Sequence, residues 1–237
     1  PLRLVGSEMC IRDRTWDRCY VPGTFKKEGY FVTMSLRICP SILTLNKAEI
    51  LQELSHVSSV ADLLHLDVMD GKFVEATTFS LEESEAIIRG TSLGTDVHLM
   101  VEDCDYWGPQ YAELGCTSVT IHVEATRNIA ETIRSIKSLG SRASIAIKPD
   151  TSLTDYERYL PLVDMVLIMT VEPGAGGQKF MDAMMSKVRH VRSLIGPRDI
   201  WLQVDGGINM NTIEIAADAG ADTFVAGSAV FNSPNPA

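Results

Sequence analysis

The chain predicts an α/β fold, a closed barrel of eight parallel strands each followed by a helix except the eighth, and three observations predict it. From Leu36 onward short apolar runs alternate with amphipathic segments, as successive strand–helix units require. Eight such units in a chain of 237 residues close into a (β/α)8 TIM barrel. The first strand runs into Pro40-Ser41-Ile42-Leu43. A doubly wound open sheet, the competing architecture, usually carries a glycine-rich turn there.

The elements follow in order. Strand 37–41 is followed by a helix over 45–57, with Ile50, Leu51, Leu54 and Val57 on one face. Strand 61–67 puts His65, Asp67 and Met69 on one side and Leu66 and Val68 on the other, and Asp70-Gly71 turns the chain. Helix 81–89 leads to strand 96–101, where Asp96, His98 and Met100 share a face. Helix 106–114 stops at Gly115, strand 118–123 follows, and helix 129–139 stops at Gly140. Strand 143–148, a short helix over 153–160 and the wholly apolar strand 165–171 come next. Helix 180–195, strand 200–205, helix 210–219 ending at Gly220, and strand 223–226 complete the series. The chain ends at Ala237, so the expectation is a barrel domain over 34–237 that is C-terminally truncated and lacks its final helix.

Residues 1–33 have neither helical nor strand periodicity, and Ser7 to Arg14 reads like a translated sequencing adaptor. The expectation is a non-native or disordered extension. The chain as a whole has ordinary globular composition, 45% hydrophobic and 22% charged. A net charge of −10 argues against nucleic acid or an anionic membrane as the general partner. Five scattered cysteines without CxxC pairing fit a reducing cytoplasm, and the longest apolar run, 165–169, is far too short to span a membrane. Self-association as a homo-oligomer is left open.

The chemistry gathers at strand carboxyl ends: His65 and Asp67 on the second, His98 on the third, Asp205 on the seventh. Two imidazoles and two carboxylates in one barrel mouth suit a divalent cation, Zn, Fe, Mn or Co; a buried hydrogen-bonded network without a metal is the plainer alternative. Met69, Met100 and Met169 are either core filler or a dry wall against a reacting carbon. Gly174-Ala175-Gly176-Gly177, Gly206-Gly207 and Gly227-Ser228 follow neighbouring strands and can form backbone nests for a phosphate. Asp67 and Asp205, from different sides of the barrel, would flank one carbon. One would remove a proton α to a carbonyl while the other returns one on the far face, with the cation stabilising an ene-diolate.

The motifs Ser41, His65-Leu-Asp67-Val-Met69-Asp70-Gly71, Asp96-Val-His98-Leu-Met100, His122-Val-Glu124-Ala125, Met169-Thr-Val-Glu-Pro173-Gly174, Gly176-Gly177-Gln178, Val204-Asp205-Gly206-Gly207 and Val225-Ala-Gly227-Ser228 together resemble the ribulose-phosphate 3-epimerase family, from about Met34 to the C-terminus. The resemblance implies interconversion of D-ribulose 5-phosphate and D-xylulose 5-phosphate in the pentose phosphate pathway or Calvin cycle. It implies His65, Asp67, His98 and Asp205 as metal ligands, Asp67 and Asp205 as the acid/base pair, and Ser41 and His98 against the substrate. Gly176, Gly177, Gly206, Gly207, Gly227 and Ser228 would hold its phosphate. Three departures from the family pattern are Glu75-Ala76 for Pro-Asn, Ala175 for Phe, and Lys148 for Asn. An allulose-6-phosphate 3-epimerase and a non-catalytic phosphosugar-binding barrel are the competing readings.

Overall fold

The computed structural model describes residues 35–236, so the extension expected over 1–33 lies outside the described residues. Eight parallel strands form one sheet: β1 (Arg37–Pro40), β2 (Leu63–Met69), β3 (Gly94–Met100), β4 (Ser118–His122), β5 (Arg142–Ile147), β6 (Met165–Met169), β7 (Trp201–Asp205) and β8 (Thr223–Ala226). Neighbours pair in sequence order, and β8 pairs with β1 over four residues. The barrel closes at the β1–β2 seam through a single bridge, Ser41 with His65, reinforced by Asp62 N donating to Ile38 O at 3.1 Å.

Helices α1 (Ile50–Val57), α2 (Leu81–Gly90), α3 (Cys104–Glu113), α4 (Ile129–Ser138), α5 (Met185–Ile195) and α6 (Thr212–Asp218) surround the sheet, and a four-residue α7 (Ser228–Phe231) follows β8. Helix α2 starts at a capping box in which Ser80 Oγ accepts from Glu83 N and the Glu83 carboxylate accepts from Ser80 N. The outward residues of the strands, among them Leu66, Val97, Ile121, Ile145, Ile168, Val204 and Phe224, pack against the helices in one continuous core. No helix among the described residues is long and apolar enough to cross a membrane.

Three helical expectations are corrected. The helix expected from 45 begins at Ile50, because the Asn46 side chain and carbonyl take the amides of Ala48 and Glu49 in a turn. The segment 153–160 forms only a 3-10 turn, Glu157–Tyr159, pinned by buried Leu153 and Leu160 and too short to propagate an α-helix. The helix expected from 180 begins at Met185: Met181 N donates to Thr170 O, and a 3-10 turn, Asp182–Met184, intervenes.

Candidate active site

The register of the barrel assembles the site. Strands β2 and β3 pair His65 with Asp96 and Asp67 with His98, so four polar side chains from adjacent strands meet inside the barrel. Asp205 arrives from β7, across the interior. One ligand atom from each of His65, Asp67, His98 and Asp205 lies within 4.8 Å of the others. His98 Nδ1 is 3.1 Å from Asp67 Oδ1 and 3.6 Å from Asp205 Oδ2; His65 Nε2 is 3.3 Å and 3.9 Å from the same two oxygens. Ser41 Oγ donates to the other Asp67 oxygen at 2.7 Å.

These four residues fit a divalent cation. His65 Nε2 is buried without a hydrogen-bond partner, and it faces both carboxylates out of hydrogen-bonding geometry. Burial works against charging the two imidazoles, yet the neighbouring carboxylates outweigh it. Asp67 and Asp96 hold His65 well above the usual histidine range, and Asp205 and Asp67 raise His98. Burial likewise opposes ionisation of Asp67, but the two imidazoles hold its carboxyl far below the usual range. The cluster favours positive charge at its centre, which a cation could supply in place of protons.

Every expected substrate-contacting residue other than His98 lines one cavity that opens to solvent at its mouth. Asp67 and Asp205 reach into it, with Met69, Met100 and Met169 as its apolar wall. Gly174, Ala175, Gly176 and Gly177 form one flank, Gly206 and Gly207 another, and Gly227 and Ser228 adjoin Ser41. His65 and His98 lie beneath the floor, fully buried. Gly206 (φ +121°) and Gly207 (φ +67°) occupy backbone conformations that favour glycine, and a Cβ on Gly207 would stand 2.5 Å from Phe180 N. Thr170, not foreseen from the sequence, anchors this loop: its hydroxyl donates to the carbonyls of Asp205 and Gly206.

Sequence reasoning also missed the groups behind the two histidines. Asp96 Oδ2 sits 2.8 Å from His65 Nδ1 and accepts from Gln203 Nε2, while Asp96 Oδ1 accepts from Ser118 Oγ. Burial opposes the charge on Asp96, but His65 and Ser118 hold its carboxyl below the usual range. His98 Nε2 is 2.9 Å from His122 Nε2, and His122 Nδ1 is 3.0 Å from Glu124 Oε2. Burial pushes His122 down to about 4; Glu124, despite burial, falls to about 2 through its bonds to His122 and Thr151. The alternating rows Asp96/His98 and Thr120/His122 carried the signal, but only the register shows which ring each group meets. Lys148 lines an open recess with Gly174 and Ala175, and its Nζ lies 3.9 Å from the centroid of Phe73, whose ring packs on His122.

Comparisons with known proteins show what the chain is similar to. The model of the ribulose-phosphate 3 epimerase family matches residues 37–231. The ribulose-phosphate 3-epimerase of Mycobacterium tuberculosis is 46% identical over 202 residues, covering 84% of this chain and 88% of that one. The Bacillus subtilis enzyme of the same name is 38% identical over 200 residues, 83% of this chain and 92% of its own. Among solved structures, a 3-hexulose-6-phosphate synthase superposes with a TM-score of 0.65 at 16% identity, covering 85% of this chain and 94% of that one, a likeness of fold alone.

Proposed function

Because the chain belongs to the ribulose-phosphate 3-epimerase family, we propose that it interconverts D-ribulose 5-phosphate and D-xylulose 5-phosphate with Asp67 and Asp205 as its two proton-transfer groups. The observation that carries the reading is their approach from β2 and β7, on different sides of the barrel, to a common cluster with two imidazoles. A ketose phosphate lying across the cavity would present C3 between them. One carboxylate takes the C3 proton, the electron pair passes into the adjoining carbonyl to give an ene-diolate, and the other carboxyl returns a proton to the opposite face. The roles exchange when the reaction runs backwards.

His65, Asp67, His98 and Asp205 would hold one divalent cation, Zn, Fe, Mn or Co. When bound it supplies Lewis-acid stabilisation of negative charge on the substrate oxygens. Met69, Met100 and Met169 keep water from the reacting carbon, which strengthens every charge interaction in the site. Ser41 orients Asp67 through its 2.7 Å hydrogen bond. The loops at Gly176-Gly177, Gly206-Gly207 and Gly227-Ser228 would receive the phosphate through main-chain N–H groups. This is how a chain of net charge −10 can hold an anion locally.

The test follows the C3 hydrogen. In deuterated water the enzyme should epimerise the pentose phosphate and place deuterium at C3. A chelator should abolish turnover, and one of the four cations should restore it. Turnover that survives complete metal removal would overturn the cation assignment, and faster turnover of allulose 6-phosphate would overturn the pentose assignment. Sugar binding without C3 exchange by the metal-loaded protein would overturn the enzymatic reading itself.

A further inference from the structure

We propose that Glu124, acting through His122, is a positioning residue that holds the His98 ring with its Nδ1 lone pair turned toward Asp67 and Asp205. The inference rests on the epimerase reading only for the use made of that lone pair.

An ionised carboxylate can only accept, so at 3.0 Å from Glu124 Oε2 the His122 Nδ1 must carry a hydrogen. A neutral ring then has a bare Nε2, which can only accept. Its partner at 2.9 Å is His98 Nε2, so that nitrogen carries the His98 hydrogen. When His98 is neutral, as holding a cation requires, its remaining nitrogen, Nδ1, presents a lone pair toward Asp67 Oδ1 at 3.1 Å and Asp205 Oδ2 at 3.6 Å. Starting from a carboxylate at the far end, each link follows from the one before.

The chain is also held in place. Glu124 sits in a single 3-10 turn, Val123–Ala125, directly after β4, and its second oxygen accepts from Lys148 N at 2.9 Å. The His122 ring is fixed between Phe73, 4.7 Å between centroids, and His98, 5.0 Å. The Thr126 hydroxyl holds the His122 carbonyl at 2.6 Å. His65 is oriented by the same device with one link fewer, since Asp96 contacts it directly. Groups behind a metal-binding imidazole that fix its tautomer are worth a substantial part of the affinity.

Nitrogen-15 spectra of the histidines in the full chain read the tautomer of His122, a residue outside the cation cluster. Wild type should show Nδ1–H with Nε2 unprotonated; Nε2–H would overturn the proposal. In Glu124→Gln the amide can donate as well as accept, so His122 should show mixed tautomers. Co²⁺ affinity, measured against a chromophoric chelator, should weaken roughly 10- to 100-fold. Glu124→Asp, which keeps an acceptor-only group, should recover part of that affinity. Unchanged Co²⁺ affinity and an unchanged His122 spectrum in Glu124→Gln would overturn the proposal. A wild-type chain that binds no Co²⁺ but shows the Nδ1–H tautomer would instead defeat the cation reading and leave the hydrogen-bond chain standing.

Discussion

On the β2–β4 side of the barrel interior, charge is handled by side chains: His65, Asp67, Asp96, His98 and His122, all buried, with each carboxylate answered by an imidazole or a hydroxyl. On the β6–β8 side the inward wall is mostly apolar, Leu167, Met169, Val171 and Val225 with Gln203 as its buried polar member, and the polar surface at the mouth is mostly backbone in glycine loops. Under the proposed function the difference follows from what each half would hold. A cation and a mobile proton need titratable groups fixed to within a fraction of an ångström, which strands provide. A phosphate needs many weak donors at close approach, which side chains obstruct and glycines permit. Asp205 stands at the boundary, a carboxylate on β7 followed at once by Gly206-Gly207.

The sharpest way to probe that boundary is to neutralise the two carboxylates separately. Asp67→Asn and Asp205→Asn should each lower turnover by roughly 10²- to 10⁴-fold, the usual worth of a general acid or base. Their effects on folding should differ. Asp67 is 2% exposed and serves Ser41 and His98, so its loss should also cost about 1–3 kcal/mol in denaturant unfolding of the metal-free protein. Asp205 keeps 16% of its side-chain exposure, and its carboxylate stands 3.6 Å or more from both imidazoles, so its variant should unfold close to wild type. Equal destabilisation would show that the two sides are not built differently.

Within the glycine half, two positions separate close approach from backbone strain. Gly207→Ala places a Cβ 2.5 Å from the Phe180 backbone nitrogen, so the loop itself must move. KM for the phosphosugar should rise about tenfold or more, with a stability loss of about 1–3 kcal/mol. Gly177 also has a positive φ, +73°, but a Cβ there meets nothing within 4 Å. Gly177→Ala should cost about 1 kcal/mol of strain and leave KM within a factor of about three. Steady-state kinetics with denaturant melts would check both; a KM rise at Gly177 matching that at Gly207 would mean strain, not crowding, governs the loop.

The two halves were unequally legible in the sequence. Strand alternation exposed His65, Asp67 and His98, and glycine spacing exposed the loops, because both signals are local. What stayed hidden depends on register or on reach across the barrel. Asp96 meets His65 only because β2 and β3 pair those residues, and Gln203 reaches Asp96 from 107 positions away. His122 and Thr170 act through rings or carbonyls whose positions periodicity does not encode. Helix starts at Ile50 and Met185 were misplaced for a related reason: Asn46 and Thr170 capture amides that a helical pattern assigns to the next turn.

The smallest effect tests whether the side-chain half extends to its outer loop. Asp70 joins the loops after β2 and β3: Oδ1 accepts from Lys72 N at 2.9 Å and Phe73 N at 3.0 Å, and Oδ2 from Glu102 N at 2.8 Å. Partial burial opposes its charge, but the Glu102, Phe73 and Lys72 amides together hold the carboxyl below its ordinary 3.8. The ionised form therefore favours the folded state, so its contribution is complete above the unfolded value of 3.8 and fades as the pH falls through and below it. Asp70→Asn turns an amide NH2 toward Glu102 N–H and should cost about 1 kcal/mol at neutral pH. Urea melts from about pH 5 to pH 3 should then converge, wild type losing stability faster than the variant as the carboxyl protonates. Parallel curves would mean that the carboxylate does not hold this loop, and that Phe73 keeps its place on His122 by packing alone.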